Sequence, residues 1–186
     1  FFMFIKGRET PMTKNEIAKS EKTMFPDILK KSNFLISSVY RASLLENKVL
    51  ALALTKVRLS DQGRPVATLR TKEIKEVLHA MGTYLKDVAT SLAGRTMFIE
   101  SADGSFKCMS LVGVVSYESG SGTMEIKFEP EIKDYIYDLK ANFTMLNIPM
   151  MLSFRSGWSY RLYELLSSRA YHSKYDKETG NVFHIK

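Results

Sequence analysis

The sequence predicts an α+β domain in which a helix-turn-helix is followed by antiparallel β-hairpins and by additional C-terminal helices. Three observations predict this fold. A strongly apolar run starts after Ser43, two short amphipathic segments meet at Gly82, and two extended stretches with glycine-bearing turns follow. The chain has 186 residues and is 45% hydrophobic, which is sufficient for a sizeable core.

The first predicted helix runs from Ser43 to Arg58. Ser43 followed three residues later by Glu46 is a capping-box pattern, and strong helix formers come after it. Because apolar residues fall on nearly every side, we expect this helix at the centre of the core. Residues 11–32 are polar and charged, and we expect residues 1–32 to be a lead-in with one short helix over 15–22.

The helix-turn-helix is predicted directly after a short strand. Turn-forming residues at 60–65 lead into this strand, which covers 66–70. Thr71 is then expected to cap a first amphipathic helix that ends near Gly82, and Thr83 to cap a second. Two short helices joined by a tight glycine turn make a helix-turn-helix.

Two hairpins are predicted next. Asp103-Gly104 is expected to turn the first, and residues 119–122 the second. One long strand over 106–117 joins them, and strict alternation over 123–129 predicts its partner. A helix-turn-helix followed by such a hairpin has the order of a winged helix.

Two helices are predicted near the end of the chain, over 130–139 and 157–170, whereas the apolar residues 143–154 fit no element. Helical spacing in the second helix places its apolar residues on the core side. The residues expected in this core are Trp158, Tyr160, Leu162, Tyr163, Leu165 and Leu166. Those expected on a basic surface are Arg155, Arg161 and Arg169.

Composition favours an acidic partner. Lysine and arginine outnumber aspartate and glutamate by 27 to 20, for a net charge of +7, although ordinary solubility explains the same charge. The single cysteine, Cys108, cannot form an internal disulfide and is typical of a reducing compartment. No apolar run approaches the ~18 residues of a membrane span, so we expect a cytoplasmic chain with no membrane partner.

Enzyme chemistry finds little support in the sequence. The histidines at 79, 172 and 184 are scattered and form neither a zinc-protease pattern nor a His-x-His pair. The Gly-Ser-Gly at 120–122 is flanked by strands and is expected to be a hairpin turn rather than a phosphate loop. We therefore expect no catalytic residues, no metal and no cofactor.

Several strings resemble the iteron-binding plasmid replication initiators, which have two winged-helix domains. The most specific is SYRLYELLSSR at 159–169, and weaker strings lie at 33–54, 83–100 and 142–144. The resemblance implies an N-terminal winged-helix domain over 33–172. It also implies that 173–186 is a linker and the truncated start of a second winged helix, which would read most of the bases.

The resemblance also implies function. It implies replication initiation and plasmid copy control at double-stranded origin repeats, a homodimer, contact with host replication proteins, and a location on the bacterial nucleoid or plasmid. Two alternatives stay open. One is a protein-interaction module for dimerisation or replisome recruitment that does not bind DNA itself, and the other is a repressor of the initiator's own gene.

Candidate DNA contacts lie on the second helix of the helix-turn-helix and at the start of the first. Lysine and arginine pair with phosphates. A threonine at the start of a helix, together with the free backbone N–H groups there, also binds phosphate, whereas Asp87 would repel phosphate. The alternative is that these residues form a solvated basic surface that contacts no phosphate. The predicted contacts are Arg70, Thr71, Lys72, Lys75, Thr83, Tyr84, Lys86, Thr90 and Arg95.

The long strand over 106–117 is apolar on both faces. One explanation is a strand in the core, and the other is self-association through this hairpin. The residues predicted for a dimer interface are Met109, Leu111, Val115 and Tyr117, opposite Cys108, Val112 and Val114.

Overall fold

A computed structural model describes residues 26–38, 41–78, 83–100, 103–118 and 120–172. The strands are β1 (Ile28–Ser32), β2 (Arg58–Leu59), β3 (Pro65–Arg70), β4 (Thr96–Glu100), β5 (Phe106–Ser110), β6 (Val112–Glu118), β7 (Thr123–Phe128) and β8 (Phe143–Asn147). The helices are α1 (Asn33–Ser37), α2 (Leu44–Leu54), α3 (Thr71–Leu78), α4 (Thr83–Ala93), α5 (Lys133–Ile136), α6 (Ile148–Ser153) and α7 (Gly157–His172), with a 3₁₀ turn at Pro130–Ile132.

The main sheet is antiparallel, with the strand order β2-β3-β7-β6. Its register pairs Val66 with Lys127 and Arg70 with Thr123 across β3 and β7. Helix α2 precedes this sheet in the chain, α3 and α4 follow β3, and β6 and β7 form the wing. The predicted winged helix with hairpins and additional C-terminal helices is confirmed.

Helix α2 occupies the centre of the core, as predicted. Ser43 Oγ accepts from the Glu46 N–H at 3.2 Å, and the Glu46 carboxylate accepts from the Ser43 N–H at 3.0 Å. The helix ends at Leu54, before the predicted Arg58, because Arg58 pairs with Val66 of β3. Its most buried apolar residues are Val49, Leu50, Ala51, Leu52 and Ala53.

The two helices of the helix-turn-helix lie where they were predicted, but Thr71 does not cap α3. Thr71 is the first helical residue, and its hydroxyl donates to the Gly122 carbonyl in the wing. The Glu73 carboxylate instead accepts from the Arg70 N–H at 3.3 Å. Gly122 has a φ of 62°, a left-handed conformation that glycine adopts without strain. This contact ties the wing to the start of α3.

The predicted long strand over 106–117 is broken at Leu111. Its first half, β5, pairs with β4 in a separate hairpin, and its second half, β6, pairs with β7. The Leu111 N–H donates to the Arg95 carbonyl, while the Leu111 carbonyl accepts from the Glu129 N–H, both at 3.2 Å. The strand breaks because Leu111 turns inward and is only 2% exposed.

A second two-stranded sheet, β1 with β8, was not predicted. It pairs Ile28 with Asn147 and Ser32 with Phe143, so the described fold begins before the predicted boundary at residue 33. Thr144 and Leu146 of β8 alternate inward and are fully buried.

Asn147 then caps α6 by accepting from the Met150 N–H at 2.8 Å. A capping asparagine two residues before Pro149 is a helix-start signal that the sequence contains. The predicted helix over 130–139 is shorter, since α5 ends at Ile136 and Asp138 has a φ of 47°. The predicted helix over 15–22, the turn at Gly82 and the segment 173–186 lie outside the described residues.

Helix α7 buries its polar face. Glu164 is 0% exposed, and its carboxylate accepts from Lys31 Nζ and from Arg161 Nη1, each at 2.5 Å. Arg161 Nη2 also donates to the Ile36 carbonyl at 2.9 Å. The buried Tyr160 donates its hydroxyl to the Asn47 carbonyl at 3.1 Å. These contacts fix α7 against β1, α1 and α2.

The opposite face of α7 is apolar and exposed, which corrects several predictions. Trp158 is 88% exposed, and Leu162 and Leu165 are also exposed, so these three residues are not in the core. Tyr160 is in the core as predicted, and Tyr163 is half-buried. Arg161 is half-buried rather than part of a basic surface, because it faces Glu164. Glu164 lies on the side of α7 opposite to Trp158, Leu162 and Leu165. Because Glu164 is buried, these three residues face outward.

We expect the Glu164→Gln substitution to lower the free energy of unfolding by about 3 to 5 kcal/mol, because Lys31 and Arg161 then lack a carboxylate in a buried place. Urea denaturation measures this difference. The control is Glu125→Gln, whose partner Lys127 lies 3.2 Å away on the surface, and we expect a loss below ~1 kcal/mol. Equal losses in the two variants would contradict the importance of the buried cluster.

Candidate nucleic-acid interface

A groove of about 510 Å³ lies between the helix-turn-helix and the wing. Ala89 and Ala93 of α4 are small residues that leave space, and Met124 of β7 closes the bottom. We call this the cationic groove. The other residues that line it are Thr71, Lys75, Lys86, Thr90, Val115 and Tyr117.

Lysines from two helices stand at the rim of the cationic groove. Lys75 on α3 and Lys86 on α4 are exposed, and neither ammonium has an ion-pair partner within the described part of the chain. Thr90 is exposed one turn after Lys86 and donates its hydroxyl to the Lys86 carbonyl at 2.9 Å. Arg70 and Lys72 are exposed where β3 meets α3. The structure therefore brings Lys75, Lys86 and Thr90 of the predicted DNA contacts to one groove, with Arg70 and Lys72 next to Thr71 in the chain.

Some of the predicted contacts are placed differently. Thr71 is buried, and its hydroxyl is engaged by the wing carbonyl of Gly122. The side chains of Thr83 and Tyr84 lie outside the described part of the structure. Asp87 is exposed next to Lys86 in the chain.

Arg95 turns away from the cationic groove. Its Nη2 donates to the Glu46 carboxylate at 2.6 Å and to Ser91 Oγ at 2.8 Å, and its Nε donates to the same Glu46 oxygen at 3.1 Å. Glu46 is buried and needs this cation. The geometry does not support the predicted phosphate contact by Arg95, because its guanidinium is engaged inside the chain.

The four residues predicted for a dimer interface differ in how far they are buried. Leu111 is buried in the core, so its assignment to a dimer surface is corrected. Met109 and Val115 are half-buried against the same core. Tyr117 is 56% exposed and lines the cationic groove.

An exposed aromatic patch on the β4–β5 hairpin was missed. Phe98 and Phe106 are 44% and 65% exposed, and their rings stack with centroids 5.0 Å apart. Cys108, opposite Phe98 in the register, is exposed on the same face. The signal in the sequence is the position of both phenylalanines on one face of a hairpin whose turn was predicted correctly.

The hairpin turn itself is well formed. Gly104 has a φ of 82°, and Asp103 accepts from the Ser105 N–H at 3.0 Å and from the Ser105 hydroxyl at 2.6 Å. These Ser105 donors hold the pKa of Asp103 below its ordinary value.

The described ranges contain no group of three or more His, Cys, Asp or Glu side chains that could hold a metal ion. Every helix in them is too short or too polar to cross a membrane.

Comparisons with known proteins agree with this architecture. A solved structure described as "Crystal structure of Pi initiator protein in complex with iteron DNA" is similar, with a TM-score of 0.60 and 18% identity. The match covers 83% of this chain and 68% of that chain. No curated protein sequence matches. The family model described as "Initiator Replication protein, WH1" matches residues 28–167. The chain therefore belongs to the initiator replication protein family and carries its WH1 domain.

Proposed function

We propose that this domain holds duplex DNA by its phosphate backbone within a plasmid replication initiator. One observation carries the proposal, namely that two exposed lysines from neighbouring helices, Lys75 and Lys86, line one groove between the helix-turn-helix and the wing. Arg70 and Lys72 are exposed on either side of Thr71, which also lines this groove. Phosphates are the ligand class that such a cluster binds, and the displaced counterions supply the affinity.

The chemistry of α4 favours phosphate contacts over base reading. Its exposed, described residues include Lys86, Asp87 and Thr90. Lysine ammonium groups and threonine hydroxyls bind phosphate oxygens, whereas guanine and adenine are read best by bidentate arginine, asparagine or glutamine. Asp87 also limits how closely this helix approaches the backbone. The similar Pi initiator was crystallised with iteron DNA, which supports DNA as the partner.

We further propose that the outer face of the β4–β5 hairpin pairs two copies of the chain. Phe98 and Phe106 expose a stacked aromatic surface, and such surfaces supply much of the energy of protein interfaces. A dimer formed in this way leaves Lys75 and Lys86 free for DNA, because neither phenylalanine lines the cationic groove.

The double variant Lys75→Gln/Lys86→Gln tests the DNA contact. We expect weaker binding to all duplex sequences alike, and a plot of log affinity against log salt that is flatter by roughly two units, because two phosphate contacts are lost. Fluorescence anisotropy with a labelled duplex at several salt concentrations measures this slope.

The control is Lys30→Gln/Lys140→Gln, which removes the same charge from exposed positions away from the cationic groove. An unchanged slope in the first variant, or an equal change in both, would remove the groove from the DNA interface.

The double variant Phe98→Ser/Phe106→Ser tests the dimer surface. We expect the dimerisation constant to weaken by about 30-fold or more, as for the loss of an aromatic hot spot. Sedimentation velocity across a concentration series measures it, and Tyr137→Ser, which alters another exposed aromatic residue, is the control. A dimer that survives the double substitution, or a wild-type chain that is monomeric throughout, would contradict this part of the proposal.

A further inference from the structure

Helix α7 carries an apolar stripe that no described residue covers. Trp158, Leu162 and Leu165 are 88%, 49% and 40% exposed. They are spaced by four and three residues and so lie on one side of the helix. The stripe cannot turn inward, because the other side of α7 is held by Glu164 and Tyr160. Contiguous exposed apolar surface of this kind marks an interaction site.

A cleft of about 860 Å³ lies beside this stripe, between the end of α1, residues 41–43 and the first half of α7. We call it the arginine cleft. Its wall combines apolar and cationic side chains, and none of its lining residues is acidic. The residues that matter here are Ile36, Trp158, Leu165, Arg41, Arg95 and Arg161.

The charges around the arginine cleft do not cancel. Arg95 is paired with Glu46, and Arg161 shares Glu164 with Lys31. Arg41 is exposed and has no hydrogen-bond or ion-pair partner among the described residues. Arg41 therefore adds a cation to a cleft wall that contains no carboxylate, which leaves the cleft with a positive potential.

We propose that the arginine cleft docks an acidic, amphipathic helical segment of another protein. Aliphatic or aromatic side chains at helical spacing would cover Trp158, Leu162 and Leu165, and carboxylates would face Arg41. A second copy that docked by this same face is disfavoured because it would bring its own Arg41 against the arginines of the cleft. A nucleic acid would satisfy the arginine but leave the leucines in water.

This site is separate from the proposed DNA contact. The arginine cleft and the cationic groove share no lining residue, so a protein partner and DNA can bind together. An initiator with both surfaces would recruit an acidic protein to the DNA that it holds.

Fluorescence of Trp158, the only tryptophan in the chain, tests the proposal directly. The probe is a synthetic peptide of about 15 residues with leucines spaced by four and three and glutamate at most other positions. We expect a saturable blue shift of the emission as the indole leaves water. Leu165→Glu should weaken binding by about tenfold or more, and Arg41→Gln by a few fold. Circular dichroism checks that both surface variants fold.

Two control peptides define the specificity, one with the leucines out of helical register and one with lysine in place of glutamate. No blue shift with the acidic peptide, or an equal response to either control, would overturn the proposal. A blue shift caused by duplex DNA, or by raising the protein concentration alone, would assign the face to nucleic acid or to a second copy and overturn it as well. Peptide binding that persists in Lys75→Gln/Lys86→Gln would support it independently of DNA binding.

Discussion

A buried carboxylate destabilises a fold strongly unless a cation meets it, and three described glutamates of this chain are buried. This requirement is satisfied largely by basic residues from other parts of the chain, with Arg161 the one cation on the same helix as its glutamate. The pairs are Glu46 with Arg95, Glu73 with Lys56, and Glu164 with Lys31 and Arg161. The Glu46–Arg95 pair fixes α2 against the end of α4, and the Glu164–Lys31 pair fixes α7 against β1. The buried glutamates therefore determine both the packing and the basic residues that remain for partners.

The remaining basic residues give the molecule two different faces. At the helix-turn-helix, Lys75 and Lys86 project from neighbouring helices without internal carboxylate partners in the described part of the chain, which suits phosphate. On the α7 face, Arg41 stands beside a cleft that also exposes Trp158 and Leu165, which suits an acidic protein segment. A net charge of +7 therefore does not identify the partner by itself, because the ligand that a cation binds depends on the apolar surface beside it.

Local patterns were sufficient to predict much of the fold. The capping box at Ser43, the two helices of the helix-turn-helix and the hairpin glycines Gly104 and Gly122 depend on residues close together in sequence, and the structure has them. The failures involve contacts between distant residues. Helix α7 has an apolar and a polar face, and the choice between them depends on Lys31, which is 133 residues from Glu164. The spacing of residues likewise does not predict the pairing of Arg95 with Glu46. The candidate site was therefore predicted less well than the fold.

We propose that DNA and protein partners use separate faces of this domain. A titration of the ¹⁵N-labelled chain with a short duplex, followed by amide and indole NMR signals, tests it in one measurement. We expect shifts at the amides of Ala89, Thr90 and Tyr117 in the cationic groove, with the Trp158 indole and the Arg95 amide unmoved. Shifts centred on Trp158 and Arg95, with the groove unaffected, would contradict it.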